Sequence, residues 1–138
     1  MYQTKYMLQK IIILALATCI KVTCFAQQVD CYPFKEGKFR INDTRAGGVV
    51  IAERKGGYQT ESMDVLKAVL RFRINWENDC SYTLTLDKVV RNDNKVPFPP
   101  DMTIHVKIIA SADNNSYTQE ASSSVTDGSY QSLVTKIQ

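Results

Sequence analysis

The sequence predicts an all-β domain, an antiparallel up-and-down meander of about eight strands closed into a small barrel. Three observations carry that expectation. Apolar residues recur with a period of two along most of the chain after residue 26, the pattern of strands with one buried and one solvated face. Short turn signals separate the alternating runs, which suits sequential hairpins. No stretch has a helical apolar period of useful length. Closing the meander removes its two exposed edges. An open β-sandwich of the same strands is the alternative.

The first 26 residues read as a secretory signal peptide, not as part of the fold. Lys5 and Lys10 form a positive start, residues 11–20 an apolar run, and Cys24-Phe25-Ala26 a cleavage site with small residues at its ends. The run is shorter than the roughly 20 residues a bilayer span needs. Lipid attachment through Cys19, after Leu16-Ala17-Thr18, is the alternative to soluble export. Residues 27–138 then form a single domain, periplasmic or secreted, with no stable membrane insertion after cleavage.

That assignment changes the charge. The chain carries 17 Lys and Arg against 14 Asp and Glu, formally +3. Lys5, Lys10 and Lys21 fall in the leader and no acid does, so the domain is neutral. Nucleic-acid binding needs a basic excess or patch, and a close alternating pair such as Arg71 with Arg73 does not make one. Nucleic acid is therefore not an expected partner.

Of the four cysteines, Cys31 and Cys80 remain in the domain. Two thiols in an exported domain most often pair, and a loop this long would contribute about 3–4 kcal/mol. A metal role is disfavoured, because His105 is the only histidine and no CxxC or HxH spacing occurs.

In chain order, residues 37–41 form a first strand around Phe39, and 49–55 a second. Gly56-Gly57 supplies a two-residue turn, since glycine accepts the positive φ such turns require. Residues 58–63 return as the third strand. The fourth, 68–76, alternates Leu70, Phe72, Ile74 and Trp76 with Arg71, Arg73 and Asn75. Residues 64–67 before it suit a helical turn. After the polar turn at 77–79, residues 80–89 put Cys80, Tyr82, Leu84 and Leu86 on one face. A proline-rich loop leads to 102–110, where Met102, Ile104, Val106 and Ile108 alternate with Thr103, His105 and Lys107. Residues 117–122 and 130–137 complete the set, separated by Asp127-Gly128.

The run of Cys31, Phe34, Gly37-Lys38-Phe39, Ile51, Arg54, Gln59, Glu61, Trp76 and Cys80-Ser81-Tyr82-Thr83-Leu84 resembles the small exported lipocalin-like proteins of Bacteroidota. The resemblance is densest from Cys31 to Leu84. It implies a lipocalin-like barrel and an exported compartment, and no activity. Members are sometimes labelled DNA topoisomerase IV, which does not suit a short exported chain without a nucleotide-binding motif. Phe39 stands where the Gly-x-Trp signature of true lipocalins has tryptophan.

The Gly56-Gly57 turn sets the register that puts Arg54, Gln59 and Glu61 on one face. That trio could grip a polar head group in the barrel mouth, or be a cross-strand salt bridge between Arg54 and Glu61. Phe72, Trp76 and Tyr82 would form an apolar wall or simply core. The Val96–Pro100 loop presents Phe98 as a lid, a docking knob or an edge cover. His105 should face solvent, and no G-x-S-x-G motif supports nucleophilic catalysis. The expected function is an exported non-catalytic binding module for a small amphiphilic ligand, using no cofactor or metal. The alternative is an envelope structural or protein-interaction domain with a filled core, acting through a strand edge or that loop.

Overall fold

A computed structural model describes residues 28–44 and 47–137 of the chain. The expected leader over residues 1–26, and Cys19 within it, lie outside the described residues. Eight strands follow one another: β1 Gly37–Asp43, β2 Gly48–Lys55, β3 Tyr58–Met63, β4 Ala68–Trp76, β5 Ser81–Asn92, β6 Thr103–Ala110, β7 Ser116–Ser123 and β8 Thr126–Lys136. Each pairs antiparallel with the next, and β1 pairs with β8, so the meander closes into a barrel. The open sandwich is excluded.

Alternation decides which side chains turn inward. Phe39 and Ile41 of β1 are buried while Arg40 and Asn42 are exposed. Tyr82, Leu84 and Leu86 repeat the pattern in β5, as do Tyr117, Gln119 and Ala121 in β7. The inward set forms one hydrophobic core. On the outer face Arg71 and Arg73 both turn to Asp87, at 2.5 and 3.9 Å, which satisfies this basic pair within the fold.

The Gly56-Gly57 turn pairs Lys55 with Tyr58, and both glycines have positive φ. Several strand ends shift by one or two residues from the expectation, and three places differ more. β5 continues to Asn92, because two register shifts in its pairing with β4 break the alternation beyond Leu86. Asp127-Gly128 lies inside β8 and the turn falls at Ser124-Val125. Gly128 has φ +73 where the β7–β8 register slips, so this turn-like dipeptide builds a bulge. Residues 64–67 form a tight turn and not a helix; Lys67 N–H donates to the Asp64 carbonyl and Lys67 itself has φ +47.

The two ends of the barrel differ. At the end where β1 begins and β2 finishes, a single 3-10 turn, Tyr32–Phe34, lies across the opening. The Cys31–Cys80 disulfide ties it to the loop before β5, with Cα atoms 5.3 Å apart. Lys136 Nζ donates to the Pro33 carbonyl at 2.8 Å. Phe34 is fully buried, its ring 4.6 Å from that of Tyr117. This end is plugged. The opposite end carries the 64–67 turn, the 93–102 loop and the β7–β8 turn. The disulfide suits an oxidising, non-cytoplasmic compartment. No helix among the described residues is long and apolar enough to cross a membrane.

Candidate functional site

The interior is built in layers, beginning beneath the plug with Arg54. Its position in β2 alternates it inward beside Ala52, and it is 1% exposed. Nε donates to Gln59 Oε1 at 2.6 Å, and Nη1 to the Phe34 carbonyl at 2.8 Å. Nη2 donates to the hydroxyls of Tyr82 and Tyr117 at 2.5 and 2.7 Å. The guanidinium also lies 4.5 Å from the centre of the Phe39 ring and 4.8 Å from that of Tyr82. Arginine stays charged wherever it is placed, so its burial is tolerable only with this many acceptors and ring faces around it. Burial pushes the Tyr82 hydroxyl well above its ordinary range, so it meets Arg54 as a neutral phenol.

Gln59 passes the polarity onward. Its Nε2 donates to Glu61 Oε1 at 2.6 Å. The expected direct Arg54–Glu61 bridge is thus replaced by a relay in which Gln59 stands between cation and carboxylate. Glu61 is half-buried and lines an interior cavity, so the surface it keeps faces inward. Desolvation raises its carboxyl above the usual range, against the Gln59 hydrogen bond and the Arg54 charge, while Asp43 adds to the rise.

The cavity above this relay has a volume of about 220 Å³. Its wall is mainly apolar, with Leu70, Phe72, Leu84 and Val106 among the lining residues and Met63 and Met102 contributing thioethers. Phe98 lines it too, so the 93–102 loop folds its one aromatic inward as a cover and not outward as a knob. Polar residues are few: Gln59, Glu61, Asp43, Gln119, Tyr82, Tyr130, Ser123 and Thr126. Gln119 is 5% exposed and donates from Nε2 to Ser132 Oγ at 3.1 Å. Its Oε1 is buried without a hydrogen-bond partner, an arrangement that costs about 1–3 kcal/mol if nothing fills it.

Of the six residues expected to contact a ligand, Gln59, Glu61, Phe72 and Tyr82 line the cavity. Arg54 sits below it with its donors turned to protein acceptors. Trp76 packs at the plugged end, its ring 4.6 Å from Tyr82 and 5.1 Å from Lys35 Nζ. Sequence reasoning missed Gln119, although one signal was present. It occupies the inward phase of β7 between Tyr117 and Ala121, and a polar residue at an inward position asks for a partner.

His105 faces solvent as expected, with Nδ1 3.0 Å from Thr83 Oγ1 and 3.9 Å from Glu77. Among the described residues no group of three His, Cys, Asp or Glu side chains comes together as a metal-ligand set. No protein-family model, curated protein or solved structure matches the chain.

The relay makes stability depend on pH in a defined direction. Burial makes Glu61 titrate higher in the folded chain than in the unfolded one. Between those two values the folded state holds the extra proton. Its contribution is complete below the unfolded value and is lost as pH rises through the folded one. Glu61→Gln removes this component. The variant's unfolding free energy should be flatter across that window than the parent's, which falls as pH rises through it, measured by urea titration at a series of pH values. Superimposable profiles would contradict the burial-raised carboxyl.

Proposed function

We propose that this barrel is an exported, non-catalytic binding module that takes a small amphiphilic molecule through its unplugged end. The observation that carries the reading is the cavity of about 220 Å³, apolar in its walls, with a buried amide oxygen left without a partner. Concave, mostly apolar sites with a few placed polar groups are the usual form of small-molecule pockets. An eight-stranded barrel is wide enough either to be filled by side chains or to hold one small ligand, and the volume here favours the second.

The division of labour between the two ends supports the same reading. Arg54, the disulfide and the 3-10 turn make one end rigid, while loops and turns surround the other. Phe98, on a loop stiffened by Pro97, Pro99 and Pro100, is placed to cover a bound molecule. The interaction-protein alternative relied on an open strand edge or an outward Phe98, and neither feature supports it.

Native mass spectrometry of protein isolated from its source tests the proposal. A discrete added mass of a small molecule, released on denaturation, is the expected result. An unadorned mass, together with no uptake from a panel of small amphiphiles, would overturn it.

A further inference from the structure

We propose that the cavity selects a small apolar amine, with its cationic head held between Glu61 and Gln119 and its hydrocarbon body against the apolar wall. This deepens the binding-module reading and rests on it.

The layers of the barrel bring the two residues together. Gln59 on β3 and Tyr117 on β7 both bond Arg54, so both stand at its level. β3 and β7 run in the same direction, away from the plug, and lie four strands apart in a ring of eight. Glu61 and Gln119 each follow two residues later. They therefore face one another across the interior, one layer above Arg54, and both line the cavity.

Both offer acceptors. Gln119 Oε1 has no donor, and its Nε2 is held by Ser132. Glu61 receives one hydrogen bond, from Gln59. Among the described residues, the charged groups around Glu61 are Asp43 on β1, which also lines the cavity, and Arg54 on β2, which lies behind Gln59 with its donors turned to protein acceptors. Among the described residues, the cavity is thus lined by the Glu61 carboxylate and an acceptor oxygen, with no cation in its wall. An ammonium group has three donors and a charge that suits this surface. A ligand carboxylate would set acceptor against acceptor and like charge against like. Desolvation and Asp43 both raise the Glu61 carboxyl, and an adjacent ammonium would act against that rise.

Size narrows the class. A cavity of about 150 Å³ holds benzene. About 220 Å³ therefore suits a body of roughly eight to ten non-hydrogen atoms.

Titration calorimetry at neutral pH with 1-octylamine, 1-octanol and octanoate isolates the head group, because the tail is constant. Octylamine should bind about ten-fold or more tightly than octanol, with octanoate weakest. Glu61→Gln should bring octylamine to within about two-fold of octanol while octanol binding persists. Gln119→Leu, which removes the acceptor without touching the Arg54 relay, should also reduce the preference for the amine. Octanoate binding as tightly as octylamine, or an amine preference unchanged in Glu61→Gln, would overturn the selectivity and leave the binding-module reading standing. No binding by any of the three would overturn both.

Discussion

Replacing Arg54 with methionine should lower the unfolding free energy by about 3–5 kcal/mol. Methionine has a similar reach, so the change removes charge and donors more than volume. Four acceptors then lose their donor together: the Phe34 carbonyl, Gln59 Oε1 and the hydroxyls of Tyr82 and Tyr117. Buried groups stranded in this way carry a desolvation penalty that water cannot repair. Glu61 also loses the cation that Gln59 relays to it. Arg54→Lys should recover only part of the loss, because an ammonium cannot reproduce the planar fork that reaches four acceptors. Urea unfolding of the three proteins checks this, and a loss below about 1 kcal/mol in Arg54→Met would contradict the account.

Opening the Cys31–Cys80 bridge should have an effect of similar size. The linked residues are 49 positions apart, and the loop-closure relation gives about 4 kcal/mol for a loop of that length. The bond also anchors the 3-10 turn, and that turn supplies the Phe34 carbonyl to Arg54. The two effects should therefore be less than additive. In a Cys31→Ala, Cys80→Ala background the plug is loosened, and Arg54→Met should cost less than it does in the parent. A double-mutant cycle in urea measures the coupling, and reduction of the unmutated protein gives an independent check on the bridge alone. Strict additivity would show that the disulfide and the Arg54 cluster stabilise the barrel separately.

The strand pattern was readable because alternation is a local property. Leu70, Phe72, Ile74 and Trp76 declare an inward face without reference to any other strand. The register of Arg54 against Gln59 was equally readable, since the Gly56-Gly57 turn fixes it within six residues. What surrounds Arg54 was not. Its other partners come from Phe34, Tyr82 and Tyr117, which lie 20, 28 and 63 residues away. Only closure of the ring brings them to one point, so the trio was expected to present its guanidinium to a ligand. Trp76 was placed on the ligand wall for a related reason. Alternation gives a face but not a height, and Trp76 lies at the plugged end. The Asp127-Gly128 misreading has another origin, because a glycine with positive φ serves a bulge as well as a turn.

The central claim is that the interior of the barrel, and not its outer surface, takes the small molecule. Met63 and Met102 are well placed to report it, since both line the cavity. Their methyl groups can be labelled with carbon-13 and followed by NMR during titration with 1-octylamine. Both resonances should shift and saturate together at one equivalent. Saturable binding seen by calorimetry with both methionine resonances unmoved would place the ligand outside the barrel and contradict the account.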